Sequence, residues 1–95
     1  GSKATHRKVL VGPVRNYFAK AGVVVVQITD SKVSSGDDYL LVGPTTGVVK
    51  GRLEDLRVEG EPTELAKQGS MVSFAVPERV RLSDRMFIMV PVGNA

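Results

Sequence analysis

Few side chains in this chain have the types and spacing that catalysis requires. His6 is the sole histidine, and it lies in a polar N-terminal stretch without a visible partner. Thr45 and Thr46 have nucleophilic hydroxyls but no base near them in the sequence. The adjacent Asp37 and Asp38 follow a glycine, which is typical of a turn and not of an acid–base pair. We therefore predict no catalytic residues, and we expect that the domain by itself is not an enzyme.

Cysteine is absent, so neither a disulfide framework nor a thiolate metal site can form. There is also no glycine-rich phosphate loop that ends in Lys-Ser or Lys-Thr. Together with the single histidine, this composition predicts neither a bound metal nor a cofactor.

Arginines are concentrated in one short segment near the C-terminus. Arg79, Arg81 and Arg85 fall within seven residues. If this segment is extended, Arg79 and Arg81 point the same way. Paired guanidiniums suit phosphate, because each can bind two oxygens at once. The alternative interpretation is a solvated loop in which Glu78 and Asp84 are the local partners of these arginines.

A second group of basic residues belongs to the first predicted strand. Arg7, Lys8 and Arg15 are its members, and Tyr17 follows as an aromatic side chain on which a base can stack. The candidate RNA-binding residues are therefore Arg79, Arg81, Arg85, Arg7, Lys8, Arg15 and Tyr17. The partner that they suit is a structured RNA such as tRNA or rRNA.

The chain has 95 residues and a formal net charge of +3, which is mildly basic and typical of one domain. We interpret residues 1–2 as the remnant of an expression tag and residues 3–95 as a single domain. No apolar run approaches the roughly 20 residues of a membrane span, and no secretion leader is visible. These features predict a cytoplasmic protein without a membrane partner.

Turn residues recur every eight to twelve positions between β-branched runs. The main turns are Gly36-Asp37, Gly43-Pro44-Thr45-Thr46-Gly47 and Glu59-Gly60-Glu61-Pro62. Predicted strands cover residues 9–14, 22–28, 39–42, 71–76 and 86–90. Residues 48–58 supply one or two more strands with a kink near Glu54-Asp55, and residues 63–69 form at most one helical turn. This spacing predicts an all-β fold, namely a small closed antiparallel β-barrel of six or seven strands.

Alternation along these strands predicts both a core and an apolar outer surface. Two strands, 23–26 and 86–90, are apolar on both faces, so their outer side chains are candidates for a domain interface: Val23, Val25, Phe87 and Met89. The alternative is that outward valines are simply tolerated in water. The predicted core residues are Val11, Val24, Val26, Leu41, Val72, Phe74 and Ile88.

The order of the motifs resembles domain 2 of elongation factor Tu, the translation-protein β-barrel. The resemblance covers residues 8–91 and rests on Val11-Gly12-Pro13-Val14, Tyr17-Phe18-Ala19-Lys20-Ala21-Gly22-Val23, Gly36-Asp37, Gly43-Pro44-Thr45-Thr46-Gly47-Val48-Val49, Ala66-Lys67-Gln68-Gly69-Ser70-Met71-Val72 and Val80-Arg81-Leu82-Ser83-Asp84-Arg85-Met86. More narrowly, the second and fourth motifs look like the short elongation-factor-like proteins of prokaryotes and the C-terminal barrel of collagenase-like peptidases of uncertain catalytic type. The chain departs from the pattern at Ser70, in place of an acid, and at Ser83, in place of a glycine.

Each resemblance implies a different function. The translation-factor resemblance implies a non-catalytic barrel that presents a basic end to RNA and an apolar face to another domain. The peptidase resemblance implies a structural C-terminal module that orients a covalently attached catalytic domain. In the resembled barrels the aromatic residue equivalent to Phe18 packs inside, so Phe18 is expected in the core.

Overall fold

The computed structural model describes residues 5–92 as an all-β domain. Its ten strands are β1 Thr5–Phe18, β2 Val23–Gln27, β3 Val33–Ser34, β4 Asp38–Gly43, β5 Gly47–Arg52, β6 Arg57–Val58, β7 Glu61–Pro62, β8 Leu65–Ala66, β9 Met71–Ala75 and β10 Arg85–Val92. Within residues 5–92 no helix is present, and hence none with the length and apolarity needed to cross a bilayer. The proposed tag remnant, residues 1–2, lies outside the described residues.

The long strand β1 organises the main sheet, whose order is β5-β4-β10-β1-β2-β9-β6-β7. The N-terminal part of β1 pairs with β10, and its C-terminal part pairs with β2. A shift in register between Leu10 and Gly12 and another between Val14 and Asn16 divide the strand. These bulges bend β1, so one strand serves two parts of the sheet.

The hydrogen bonds between the strands of residues 5–92 do not close the sheet into the predicted barrel of six or seven strands. The main sheet has eight strands that end at β5 and β7, and β3 and β8 form a separate two-stranded sheet. Two features of the sequence produce this difference. The segment 48–58 is divided into β5 and β6 at the expected kink near Glu54-Asp55, and β7 contains Pro62, whose nitrogen has no hydrogen to donate to a ladder.

Two connecting segments contain strand pairing that the sequence did not indicate. Residues 15–18 continue β1, where a connection was expected, because the second bulge keeps the strand in register with β2. Residues 63–69 form no helical turn. Instead, Leu65 and Ala66 pair with Ser34 and Val33.

The predicted core is confirmed: Val11, Val24, Val26, Leu41, Val72, Phe74 and Ile88 are all at most 6% exposed. The sequence prediction missed Tyr39, which is also buried and whose ring lies 5.0 Å from that of Phe74, centroid to centroid. Burial raises the pKa of the Tyr39 phenol above its ordinary value.

Candidate binding surfaces

The buried carboxylate of Asp84 joins two loops that are distant in sequence. Its Oδ2 accepts hydrogen bonds from the backbone N–H of Arg81 (2.9 Å) and from the hydroxyl of Thr46. Its backbone carbonyl accepts a hydrogen bond from the N–H of Val14 at 2.7 Å. Gly43 must remain a glycine here, because a Cβ on it would overlap the carboxylate of Asp84. The Gly43–Gly47 turn is therefore held against the arginine segment.

A groove of about 450 Å³ lies beside the arginine segment. Its lining residues are Asn16, Tyr17, Arg79, Val80, Arg81 and Leu82. The structure thus places three of the candidate RNA-binding residues, Tyr17, Arg79 and Arg81, around one concave surface. Val80 is buried and anchors the segment to the core between the two arginines.

The arginines of this groove have no acidic partner among residues 5–92. The sole ion pair in that range joins Arg57 to Asp55, at an exposed site. Asp84, one of the two expected local partners, is engaged instead by the backbone N–H of Arg81. Arg81 is half-buried as a residue, and its guanidinium has no ion-pair partner within residues 5–92.

A smaller hollow of about 170 Å³ adjoins the same segment, and its lining includes Pro44 and Thr45 of the Gly43–Gly47 turn. Both hollows share Arg81 and Leu82, and the Leu82 side chain is 62% exposed. Ser83 next to it has a φ of 74°. This is the left-handed region that favours glycine, at the position where the resembled family has glycine.

The remaining basic candidates do not join the groove. Arg7 and Lys8 pair with Val90 and Met89. They are nine or more residues from Tyr17 along β1, which is roughly 30 Å if the strand were straight. The Lys8 ammonium lies 4.8 Å from the centre of the Phe87 ring.

Arg15 and Arg85 are both exposed, and neither lines the groove. Arg85 begins β10, opposite Pro13 and Val42. The seven candidate RNA-binding residues therefore do not form one continuous surface.

The candidate interface residues also divide into two separate patches. Val23 and Val25 are half-buried on β2, and Val23 pairs with Phe18. Phe18 is 51% exposed, so its expected core placement was wrong. Tyr17 packs against the core instead.

The second patch centres on β10. Phe87 pairs with Leu10 on one side and Leu40 on the other, and Met89 lies on the same outer face. All four side chains are half-buried. Apolar surface of this kind suits a neighbouring protein surface.

Two of the side chains considered for catalysis, Asp37 and Thr46, make structural hydrogen bonds. The backbone N–H of Ser34 donates to Asp37 at 2.8 Å, and the hydroxyl of Thr46 donates to Asp84. Among residues 5–92, no three histidine, aspartate or glutamate side chains come together as metal ligands would.

The chain is similar in sequence to parts of much longer proteins. It is 38% identical over 87 residues to a collagenase of Porphyromonas gingivalis (strain ATCC BAA-308 / W83), a match that covers 92% of this chain and 21% of the relative. It is 30% identical over 90 residues to an uncharacterized protease of Methanocaldococcus jannaschii, with coverages of 94% and 22%. The chain thus spans about a fifth of the length of these curated relatives. No family model matches it.

Solved structures show the same fold. The C-terminal domain of a putative U32 peptidase from Geobacillus thermoleovorans superposes with a TM-score of 0.77, at 22% identity over 82% of this chain and 89% of that one. Its selenomethionine variant gives a TM-score of 0.76, at 23% identity over 81% and 95%. This chain has the fold of that C-terminal domain. Of the groups that the motifs resemble, the relatives support the collagenase-like peptidases.

Proposed function

We propose that this chain is an accessory module of a collagenase-like peptidase. It holds the catalytic part of a longer polypeptide in position and does not catalyse a reaction itself. The main support for this proposal is the sequence match to the collagenase of P. gingivalis, which covers 92% of this chain and 21% of the collagenase. The fold of a C-terminal domain that was solved as a separate structure supports the same proposal, because such a domain can act as a structural unit of a longer polypeptide.

The outer surface of the domain suits such a role. Its core is continuous, and its strands are joined by antiparallel ladders. A rigid domain of this kind can hold a neighbouring domain in a fixed orientation. Apolar side chains at Phe18, Val23, Phe87 and Met89 remain on its outside, where a packed neighbour would remove them from water.

The test uses the collagenase of P. gingivalis, from which the matched segment is deleted or replaced by this chain. Deletion is expected to lower the melting temperature of the enzyme and its degradation of collagen, because the catalytic part loses a packed neighbour. Replacement is expected to restore both, whereas an unrelated β-domain of similar size is not. The isolated chain serves as a further control and is expected to degrade no collagen. Full activity of the deleted enzyme, or hydrolysis by the isolated chain, contradicts the proposal.

A second candidate function is RNA binding, which the groove of Tyr17, Arg79 and Arg81 favours. Two guanidiniums without acidic partners lie beside a half-buried tyrosine. Each guanidinium can hold a phosphate through two parallel hydrogen bonds. A tRNA or rRNA backbone would then occupy the groove, without readout of its sequence.

Replacing both Arg79 and Arg81 by alanine is expected to weaken RNA binding equally for unrelated sequences, since phosphate contacts do not distinguish bases. The slope of log affinity against log salt should fall by roughly 1.4–1.8, at about 0.7–0.9 for each phosphate contact. Binding of labelled tRNA is measured across a salt series. The matched control replaces two exposed lysines elsewhere, Lys32 and Lys67. If the two double variants behave alike, or if tRNA does not bind at low salt, the groove does not bind RNA.

A further inference from the structure

Strand β5 is a free edge of the main sheet. It pairs with β4 through six residues, Gly47 to Arg52. Among the described residues, no other backbone hydrogen bond involves β5, and the next such bond along the chain is made by Leu53. Alternate residues of an edge strand direct their N–H and C=O groups away from the sheet. These groups are available to one more strand.

The two faces of β5 differ in chemistry. Val49 is buried in the core, and Gly51 lies over the ring of Tyr39. Val48, Lys50 and Arg52 point to the outer face and are exposed, with Val48 at 59%. An added strand would therefore lie beside the buried Val49 on one face and beside Lys50 and Arg52 on the other, where Asp38 of β4 is the cross-strand neighbour of Arg52.

We propose that the β5 edge binds an extended acidic segment of another polypeptide as an additional antiparallel strand. The backbone of the segment completes the ladder of β5, which is a common mode of peptide recognition. Its carboxylates lie opposite Lys50 and Arg52 on the outer face, and its apolar side chains lie next to Val49 on the inner face. Opposite charges in cross-strand positions stabilise such a pairing.

The positive charges on β5 favour an acidic segment over a second copy of this chain as the strand that binds this edge. If two β5 edges paired antiparallel in a register centred on Gly51, Lys50 of one copy would face Arg52 of the other. Like charges in cross-strand positions are destabilising, and lysine on an edge strand commonly prevents self-association. An acidic strand turns the same cations into attractive contacts. This inference does not depend on the proposed role in a peptidase.

The probe is a fluorescent peptide of the length of β5, in which valine and glutamate alternate so that the glutamates share one face. The fluorescence anisotropy of the peptide is measured as this chain is added. In a second experiment, the amide shifts and hydrogen exchange of the isotope-labelled chain are followed by NMR as the peptide is added. We expect shifts and slowed exchange within Gly47–Arg52. Two control peptides are expected not to bind: one with lysine in place of glutamate, and one N-methylated at alternate residues, which cannot complete the ladder.

Charge reversal tests the role of the two cations. The double variant Lys50→Glu, Arg52→Glu is expected to weaken binding of the acidic peptide by about tenfold and to favour the lysine peptide. Because the Arg52 guanidinium also donates to the carbonyl of Gly36 at 3.3 Å, the single variant Lys50→Glu is measured as well, with melting curves for both. The variant Arg79→Ala, Arg81→Ala should bind the peptide normally.

Several results would overturn the inference. Shifts that map to residues 79–82 would mean that the acidic peptide occupies the arginine groove. Equal binding of the N-methylated peptide would exclude strand addition. A dimer in sedimentation, with β5 already protected from exchange, would mean that a second copy occupies the edge. An absence of binding would mean that Lys50 and Arg52 only protect the edge from self-association.

Discussion

Replacing Gly12 by alanine is expected to prevent folding. A Cβ on Gly12 would overlap the carbonyl oxygen of Gln27 and would lie only 3.0 Å from the backbone nitrogen of Thr29. Both neighbours are backbone atoms, so no change of side-chain rotamer relieves the contact. The N–H of Thr29 also donates to the carbonyl of Val11 at 2.9 Å, and moving it breaks that bond.

The matched control is the same substitution at Gly47, where a Cβ meets open space. The φ of 76° at Gly47 places an alanine in the left-handed region, at a cost of about 1–2 kcal/mol. Urea denaturation followed by circular dichroism compares the two. We expect a folded Gly47→Ala protein with a lower midpoint and an unfolded or aggregated Gly12→Ala protein. If Gly12→Ala unfolds at the same urea concentration as the control, the close approach of β1 to residues 27–29 is misassigned.

The same part of β1 shows how far the sequence predicts the fold. Gly12-Pro13 indicated a bulge or an edge, and the register does shift between Leu10 and Gly12. The second bulge, between Val14 and Asn16, has no glycine or proline to indicate it. Since a shift of one residue exchanges the two faces of a strand, this bulge helps to determine that Tyr17 packs against the core and Phe18 is exposed. The core placement expected for Phe18 rested on the family resemblance alone.

Clean alternation made the central strands predictable. In Met71–Ala75 the buried and exposed positions alternate as the sequence indicates, and the seven predicted core residues are all buried. Strands of two residues, such as β3 and β8, have no period to detect. Their pairing depends on tertiary contacts that a local pattern does not contain.

The candidate groove was only partly predictable, because it also depends on contacts between residues that are distant in the sequence. The two-residue spacing of Arg79 and Arg81 indicated that both would face one way, and the structure places both on the groove. The role of Asp84 was missed, because its partner Thr46 is 38 residues away in the sequence. Its neighbouring arginines suggested ion pairs, whereas its burial and backbone contacts make it a structural link between loops.

Replacing Phe74 by alanine is expected to lower the free energy of unfolding by about 3–5 kcal/mol. Phe74 is 2% exposed and packs against Tyr39, so truncation leaves a cavity in the centre of the core. Domains of this size have total stabilities of about 5–15 kcal/mol, so the loss is a large share of the total and the variant should melt well below the unaltered domain. Thermal and urea melts measure the change.

The control for this substitution is Phe18→Ala, which removes the same side chain from an exposed position. It should change the stability of the isolated chain by less than about 1 kcal/mol, because a half-exposed ring loses little buried area. The pKa of Tyr39 gives a second readout. Burial raises that pKa, so a water-accessible cavity beside the phenol in Phe74→Ala should return it toward its ordinary value, whereas Phe18→Ala should not. Equal melting curves for the two variants would contradict the assignment of Phe74 to the core, since only the buried ring has packing to lose.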